Sequence, residues 1–294
     1  MRVFVTGASG WVGSAVTRDL IAAGHRVLGL ARSDASVSVV AATGAEVHRG
    51  QLDDLDGLRR AAAECDGVVH TAFTHDFSRF AESCAADKVA IEALGAGLAG
   101  SGRPLIVTAG TLELRNEDEA FESKPALAAL PRRSEVAGLA QAERGVRAMV
   151  VRLPPSVHGD GDHGFVSAII RVARAKGFAP YVGDGSNRWS AVHRFDAARV
   201  YRLALEKGVV GGRYHGIGDE GVPVRQIAEV IGRRLGVPAV SQTREEATAM
   251  LGFIGHVLGS DAPSSSALTQ ERLGWRPTGP GLIADLEAGH YFAM

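Results

Sequence analysis

The sequence has little of what builds disulfide-linked, zinc-binding or membrane proteins. Cys65 and Cys84 are the only cysteines in 294 residues, and they lack the C-x-x-C spacing of a zinc site or a disulfide framework. No uninterrupted apolar run approaches the ~20 residues that a membrane span needs. The formal net charge is −1 and like charges form no block, so we expect neither nucleic acid nor a membrane as a partner.

The remaining composition is that of a globular protein. Hydrophobic residues make up 46% of the chain, enough for a full core without cross-links. The length allows one large or two modest domains. The first residues, MRVFVTG, already predict a strand that leads into a motif, so we expect no signal peptide and a cytoplasmic location.

The first half of the chain alternates short apolar runs with helical patterns. The runs are Val3–Val5, Val27–Leu30, Ala45–His48, Val68–Thr71, Leu105–Val107 and Met149–Leu153. Continuous apolar strands separated by helices are typical of a parallel sheet covered on both faces. The predicted fold class is α/β, a Rossmann-type doubly wound sheet with a smaller, discontinuous C-terminal substrate domain.

The pattern changes after Leu153. A turn-rich loop, PPSVHGDGDHG, precedes a predicted helix over Phe165–Lys176. A later helix is predicted with Asp196 as its N-cap, and GGRYHGIG is expected to return a strand to the sheet. We assign residues 1–157 and about 188–217 to an NADP(H)-binding domain, and about 158–187 and 218–294 to a substrate-binding domain.

A glycine-rich motif, TGASGWVG, lies between the first predicted strand and the first predicted helix. Gly7 permits a tight turn, Gly10 lets the backbone approach a pyrophosphate, and Gly13 lets helix and strand pack closely. The helix N-terminus then faces the anion with its N–H groups and the positive end of its dipole. This order of strand, loop and helix predicts a dinucleotide site. The other loop residues assigned to it are Ser9, Trp11 and Val12.

The end of the second strand indicates which cofactor is bound. An NAD site needs a carboxylate there for the ribose, but the expected position holds Ala31, followed by Arg32 and Ser33. A cation and a hydroxyl suit the additional phosphate of NADP(H). Asp34 favours NAD, but it comes three residues after the expected position. We therefore expect NADP(H); the alternative is that Arg32 is a solvated surface residue.

With these motifs the sequence resembles the extended short-chain dehydrogenase/reductase family over nearly its whole length, through TGASGWVG, GQLDD, VVHTAF and VVRLPPSVHG. The resemblance implies further cofactor contacts. Gln51, which stands where the family usually has Asp, and Leu52 border the adenine. The residues implied along the middle of the cofactor are Thr71, Ala72, Phe73 and Thr108. The residues implied beside the nicotinamide are Pro154, Pro155, Ser156 and Val157.

The family's catalytic set is Ser or Thr, Tyr and Lys, in which the tyrosine protonates the carbonyl oxygen and the lysine lowers its pKa. This chain has four tyrosines, and the first is Tyr181. Aligning SEVAG with the family's helix puts Pro131 at the tyrosine position and Glu135 at the lysine position. Ala109 and Gly110 stand where the hydroxyl is usual. The sequence is therefore most similar to atypical members without the triad, such as ketoreductases of aromatic polyketide (angucyclinone) antibiotic pathways.

Hydride transfer does not require that triad. General acid catalysis typically contributes about 10²–10⁴-fold, whereas near-attack positioning can contribute roughly 7–11 kcal/mol. Three proton sources are candidates: a hydroxyl of Thr108 or Thr111, His158 or a water beside it, and the substrate itself. A phenol next to the ketone can donate internally, and this substrate-assisted route is the preferred hypothesis.

These residues predict an NADPH-dependent ketoreductase for a bulky, aromatic polyketide-like small molecule. The alternatives are a non-catalytic NADP-binding sensor and a nucleotide-sugar epimerase or dehydratase, which would need the Tyr–Lys pair. The resemblance also implies a possible homodimer through the helices that flank strand five. His70 is interpreted as a packed core histidine and Glu135 as a solvated helix start. The segment GDGDHG lacks the ligand count of a calcium site, so no metal is expected.

Overall fold

The structure is a computed structural model and describes residues 1–114, 122–123, 125 and 131–293. The strands are β1 (Arg2–Thr6), β2 (Arg26–Ala31), β3 (Glu46–Arg49), β4 (Gly67–His70), β5 (Pro104–Gly110), β6 (Arg147–Leu153), β7 (Ser156–His158), β8 (Ala179–Val182), β9 (Arg188–His193), β10 (Arg213–His215), β11 (Asp219–Pro223) and β12 (Ala239–Gln242). The helices are α1 (Trp11–Ala22), α2 (Asp34–Ala41), α3 (Leu55–Ala63), α4 (Phe80–Leu98), α5 (Ser134–Ala140), α6 (Phe165–Lys176), α7 (Arg194–Lys207), α8 (Val224–Leu235), α9 (Arg244–Leu251), α10 (Phe253–Leu258), α11 (Ala267–Leu273) and α12 (Leu282–Glu287). Short 3-10 helices cover Phe77–Arg79, Thr111–Leu114, Gln141–Arg144 and His290–Phe292.

Seven strands of the described chain form the large sheet, in the order β10-β6-β5-β4-β1-β2-β3. Every neighbouring pair is parallel. Because successive side chains of a strand point to opposite faces, Val3 and Val5 pack with α1 and α7, whereas Phe4 packs with α3 and α4. The predicted doubly wound sheet is confirmed. The strand order reverses at β1, and ligands of such sheets bind at the carboxyl ends of the strands beside this point.

A second unit contains, among the residues that the structure describes, a three-stranded sheet β11-β9-β7 and a two-stranded sheet β12-β8. The sequence analysis placed β9 in the cofactor domain, within residues 188–217, but β9 pairs with β7 and β11 instead. The rest of that stretch, α7 and β10, does pack on the large sheet. An apolar pattern identifies a strand but not its pairing partner, so this boundary differs from the sequence-based assignment.

The C-terminal segment packs on the large sheet as well as on the second unit. Leu273 and Trp275 lie in the core formed by α1, α7 and β1. The helix α7 begins at Arg194 with His193 as its N-cap, so the prediction of Asp196 as N-cap was wrong. Asp196 Oδ2 accepts the backbone N–H of Thr278 at 3.1 Å. Spacing alone cannot reveal this long-range contact, which fixes the chain beyond α11.

Candidate functional site

The glycine loop between β1 and α1 has no room for side chains. Gly7 has a φ of +70°, and a Cβ there would lie 2.7 Å from the backbone nitrogen of Ala72. A Cβ on Gly13 would lie 2.0 Å from the carbonyl oxygen of Gly7. The backbone N–H of Gly10 donates to that same oxygen at 2.8 Å. The start of α1 is therefore drawn tightly against the end of β4, as the spacing of the glycines predicts.

The first turn of α1 fits an anion. Its N-cap, Gly10, offers no side-chain cap, and no acidic residue occupies the turn. The first N–H groups of a helix have no intrahelical acceptor, and together with the helix dipole they bind phosphate. The loop thus fits the diphosphate of a dinucleotide, which when bound supplies the hydride chemistry. The residues predicted to hold it remain Ser9, Gly10, Trp11, Val12 and Gly13.

Trp11 joins this loop to a second segment that the sequence analysis assigned to the cofactor. Its indole Nε1 donates to the carbonyl oxygen of Val157 on β7 at 2.7 Å. The guanidinium carbon of Arg194 lies 3.9 Å from the centre of a Trp11 ring, and its Nη2 donates to Ser14 Oγ at 3.3 Å. The residues predicted at the diphosphate and beside the nicotinamide are thereby brought together.

The residues that follow β4 lie beside the same loop. Thr71 Oγ1 donates to the carbonyl oxygen of Thr6, at the end of β1, at 2.8 Å. The Phe73 ring stands edge-on to Phe80 with centroids 6.0 Å apart. The guanidinium carbon of Arg132 lies 4.3 Å from the Phe73 ring centre. The predicted middle section of the cofactor site therefore leads directly to the start of α5.

A chain of buried hydrogen bonds runs behind this edge of the sheet. His70, 1% exposed, is bonded through Nδ1 to Thr6 Oγ1 at 2.7 Å and through Nε2 to Asp87 Oδ1 at 3.0 Å. Ser134 Oγ donates to the other Asp87 oxygen at 2.5 Å. Burial alone would raise the pKa of Asp87, but hydrogen bonding and the charge of His70 lower it. The interpretation of His70 as a packed core histidine is confirmed.

Arg132 continues this chain, and sequence reasoning did not single it out. Its Nε donates to Ser134 Oγ at 3.0 Å, and its Nη2 donates to the carbonyl oxygen of Thr108 at 3.1 Å. It follows Pro131, which aligns with the family's tyrosine. The available signal was the pair of arginines in PRRSEV, next to the position where the catalytic side chain was expected.

Glu135, aligned with the family's lysine, is buried against β6 and β10. It is 2% exposed and accepts from Arg152 Nε at 2.7 Å and Nη2 at 2.6 Å. Arg213 Nε donates to it at 2.8 Å. Burial alone would raise the pKa of Glu135, but the two arginines lower it. The interpretation as a solvated helix start was wrong, because its partners lie on strands far along the chain.

Thr108 and Thr111, both predicted proton donors, have different surroundings. The hydroxyl of Thr108 donates to the carbonyl oxygen of His70 at 2.8 Å and lies 2.8 Å from the Tyr201 hydroxyl. Burial raises the pKa of that fully buried tyrosine. Thr111 is 3% exposed, and its Oγ1 has no hydrogen-bond partner among the described residues. Thr108 is therefore a link between strands and α7, whereas Thr111 can accept a new partner.

Ser156, predicted beside the nicotinamide, resembles Thr111 in this respect. It is 3% exposed, and its Oγ also lacks a hydrogen-bond partner within the described chain. Pro154 and Pro155 connect it to the end of β6. Buried hydroxyls are normally paired. Two orphaned hydroxyls just beyond the carboxyl ends of the neighbouring strands β5 and β6 fit the polar groups of a bound ligand.

His158, the third predicted donor, is fully buried on β7. Its Nδ1 lies 2.8 Å from Asp285 Oδ2 on α12, and its ring centre lies 5.6 Å from that of His193. In the part of the chain that the structure describes, Nε2 has no hydrogen-bond partner. These contacts run toward α12 and β9, so the structure does not group His158 with the two threonines.

At the ribose end, Arg32 is exposed where β2 ends. Ser33 is the N-cap of α2, and its Oγ accepts the Ser36 N–H at 3.3 Å. Asp34, the residue that favoured NAD, pairs with Arg49 Nη2 at 2.6 Å. Arg49 ends the neighbouring strand β3, just before the predicted adenine residues Gln51 and Leu52.

No helix in the described ranges is long and apolar enough to cross a membrane. No group of three or more His, Cys, Asp or Glu residues there is arranged to hold a metal ion.

The sheet order and the glycine loop are those of a Rossmann-type dinucleotide-binding fold. Residues 3–91 match the model of the NAD dependent epimerase/dehydratase family. The chain is 48% identical to the uncharacterized protein C2A9.02 of Schizosaccharomyces pombe, over 99% of this chain and 100% of that protein. The solved structure of DesIV, a dTDP-glucose 4,6-dehydratase from Streptomyces venezuelae with NAD bound, has a TM-score of 0.77 at 21% identity, covering 99% of this chain and 98% of that one.

Two of the relatives are named as reductases. The 4-hydroxy-2-methyl-3-oxo-4-farnesyl-3,4-dihydroquinoline-1-oxide ketoreductase of Stigmatella aurantiaca is 30% identical, over 76% of this chain and 70% of that protein. The 2-alkyl-3-oxoalkanoate reductase of Stenotrophomonas maltophilia is 28% identical, over 85% of this chain and 80% of that protein. The chain belongs to the NAD-dependent epimerase/dehydratase family, the extended short-chain dehydrogenases/reductases.

Proposed function

We propose that this chain uses NADP(H) to reduce a ketone on a bulky, largely apolar small molecule. The observation that carries the proposal is an aromatic wall between the cofactor edge and the second unit, defined as Phe73, Phe80, Phe253 and Phe165. The centroids of Phe80 and Phe253 are 6.0 Å apart with an interplanar angle of 27°, and those of Phe253 and Phe165 are 6.4 Å apart. Such faces favour flat apolar ligands, because aromatic rings stack and bury large areas.

The wall begins beside the predicted middle section of the cofactor. Phe73 directly follows β4 and lies beside the glycine loop, whereas Phe165 and Phe253 belong to the second unit. A substrate lying along the wall would therefore have one end beside the predicted cofactor site. The two relatives named as reductases, one for a quinoline oxide and one for an oxoalkanoate, support a ketone as the reacting group. Aromatic polyketides remain one class that such a cleft would accept.

The reaction needs a hydride and a proton. When bound, the cofactor would supply the hydride to the carbonyl carbon. The carbonyl oxygen would take a proton as the C–O double bond becomes a single bond. No Tyr-x-x-x-Lys exists in this sequence, and the Thr108 hydroxyl is already engaged by His70 and Tyr201. We propose that a phenol of the substrate beside the ketone donates the proton, leaving a phenolate that solvent reprotonates.

Single replacements of the side-chain donors should then have small effects. We expect Thr108→Val, Thr111→Val and His158→Gln each to keep kcat within about tenfold of wild type, because none supplies the transferred proton. The measurement is steady-state NADPH oxidation with a hydroxylated polycyclic ketone, with thermal unfolding as a check on folding. A loss of about a thousandfold in one folded variant would identify that side chain as the acid.

Preference for NADP(H) should depend on Arg32. Its loss removes charged hydrogen bonds worth about 1.5–3 kcal/mol, so we expect Arg32→Ala to raise the KM for NADPH by roughly tenfold or more. The KM for NADH should not change. Arg26→Ala, at the opposite end of β2, is the matched control and should change neither constant. A wild-type protein that prefers NADH would show the assignment to be wrong.

The alternatives make different predictions in one assay. NADPH absorbance is followed with a panel of flat hydroxylated ketones, and NADPH affinity is measured in parallel. The proposal expects steady oxidation with at least one member. A non-catalytic sensor would bind NADPH tightly but would not oxidise it in the presence of any ketone of the panel. An epimerase or dehydratase would act on a nucleotide sugar without net oxidation of the cofactor.

A further inference from the structure

We infer that Arg194 binds the diphosphate of the cofactor, so that its guanidinium completes the anion site at the first turn of α1. The inference rests on the proposed function, because it adds a binding residue to the NADP(H) site used there. It goes beyond the family pattern, in which the glycine loop supplies the diphosphate contacts. Its basis is an arginine that covers this turn and, within the described ranges, forms an ion pair with no carboxylate.

Arg194 lies against the first turn of α1. Its guanidinium carbon is 3.9 Å from the centre of a Trp11 ring, and its Nη2 donates to Ser14 Oγ at 3.3 Å. Trp11 and Ser14 are the first and fourth residues of α1. Because the side chains of a helix lean toward its N-terminus, a group stacked on the Trp11 ring lies at the end of α1 that attracts anions. The guanidinium therefore covers the turn whose N–H groups can bind phosphate.

Neighbouring residues hold the Arg194 side chain in one orientation. Gly159, after β7, has a φ of +146°, and a Cβ there would lie 3.2 Å from both Cγ and Cδ of Arg194. The loop that follows β7 therefore packs closely on the arginine stem. The guanidinium carbon also lies 5.1 Å from the centre of the Phe195 ring. A side chain that is already ordered loses less conformational entropy when it binds a ligand.

The charge of Arg194 lacks a counter-charge in the described part of the chain. Its Nε is buried and has no hydrogen-bond partner there. Asp160 and Asp162 act on it electrostatically, but neither forms an ion pair with it. Burial and the charge of Arg18 lower the pKa of Arg194, but an arginine stays protonated in proteins. Because a desolvated charge is costly when it is unpaired, an anionic ligand would stabilise this side chain.

The place of Arg194 in α7 also favours an anion. It is the first residue of α7, where the helix dipole disfavours a cation. The acidic residue of that turn, Asp196, is already paired with Arg199 at 2.8 Å. Planar guanidinium donors match two oxygens of a phosphate, and such charge-assisted bonds are about twice as strong as neutral ones. Since Arg32 is predicted to bind the additional phosphate of NADP(H), the two arginines would bind different phosphates.

The test compares ligands with and without a diphosphate. NADP⁺ contains it, whereas 2′-AMP has the adenine, the ribose and the 2′-phosphate alone; both are titrated into the full chain by calorimetry. We expect Arg194→Gln to raise the Kd of NADP⁺ by about tenfold or more, as the loss of charged hydrogen bonds allows. The Kd of 2′-AMP should not change. Arg18→Gln removes an exposed charge one turn further along α1, and this control should change neither constant.

Two further variants separate a contact with the diphosphate from packing on Trp11. Arg194→Lys keeps the charge without the planar fork, so we expect it to recover part of the lost affinity. Arg194→Met keeps an apolar stem without the charge, so we expect it to bind NADP⁺ as weakly as Arg194→Gln does. Circular dichroism establishes that each variant is folded. NAD⁺, which shares the diphosphate but lacks the 2′-phosphate, should lose affinity in Arg194→Gln by the same factor as NADP⁺.

An unchanged Kd for NADP⁺ in a folded Arg194→Gln protein, an equal loss with 2′-AMP, or wild-type affinity in Arg194→Met would overturn the inference. Turnover separates it from the proposed function. If Arg194→Gln weakens dinucleotide binding but the wild type reduces no ketone, the proposed function alone is refuted. If the wild type reduces a ketone and Arg194→Gln has the same KM for NADPH, this inference alone is refuted.

Discussion

Replacing Gly13 with alanine should weaken NADP(H) binding by about a hundredfold or more, which corresponds to roughly 2.7 kcal/mol. A Cβ at this position would lie 2.0 Å from the carbonyl oxygen of Gly7 and 2.7 Å from Thr71 Oγ1. Neither neighbour is the flexible end of a long side chain. The start of α1 must therefore move away from β1 and β4, and its N–H groups no longer converge on the diphosphate.

The measurement is the dissociation constant of NADPH, followed by fluorescence, with circular dichroism to establish that the variant is folded. Gly218→Ala is the matched control, because a Cβ there would meet its nearest neighbour at an ordinary 3.6 Å, outside the loop. We expect the control to bind as wild type does. A folded Gly13→Ala protein that binds NADPH within threefold of wild type would show that the loop is not the diphosphate site.

Replacing Glu135 with alanine should lower the free energy of unfolding by about 3–5 kcal/mol, because it removes a carboxylate that is paired with a buried arginine. Arg152 is fully buried and donates to both carboxylate oxygens of Glu135, at 2.6 and 2.7 Å. The side chain also contacts His215 Nε2 at 3.2 Å. Burial and the charge of Arg152 lower the pKa of His215 to about 3, so this histidine is neutral at pH 7 and adds no charge to the cluster.

The measurement is urea unfolding of wild type and variant, with Glu229→Ala as the control. Glu229 pairs with Arg225 on the exposed face of α8, and loss of such a pair costs about 0–1 kcal/mol. The pKa of Glu135 lies below its unfolded value. The stability that Glu135 contributes is therefore fully present above the pKa of about 4.3 that its carboxyl has in the unfolded chain. It is lost as the pH falls through the lower pKa of the folded protein. The difference between wild type and variant should shrink correspondingly in acid, and a loss below about 1 kcal/mol at neutral pH would contradict this account.

The parts of the protein that depend on local sequence could be predicted. Apolar runs at strand spacing located the parallel sheet, and the helix over Phe165–Lys176 has its predicted bounds because Gly177 ends it in the left-handed conformation. The glycine loop was also predictable, since each of its glycines stands where neighbouring atoms leave little room for a Cβ. His70 was correctly interpreted, because a histidine that ends an apolar strand is buried with its strand.

The parts that depend on distant partners could not be predicted. Glu135 is surrounded by Arg152 and Arg213, which come 17 and 78 residues later. The pairing of β9 with β7 and β11, and the contact of Asp196 with Thr278, likewise join segments that no spacing relates. Arg132 was overlooked because its contacts with Phe73 and Ser134 follow from the fold rather than from any motif. The cofactor contacts expected from the sequence, those of Arg32 and Ser156 among them, remain predictions.

The central claim is that hydride passes from NADPH to a ketone without a Tyr–Lys pair. The most direct test supplies NADPH carrying deuterium on one face of its nicotinamide, together with a flat aromatic ketone, and examines the product by mass spectrometry and NMR. We expect one deuterium at the new carbinol carbon, from one face only, with one NADP⁺ formed per alcohol. Deuterium that stays on bound cofactor with every ketone, or a sugar substrate converted with no net NADP⁺, would contradict it.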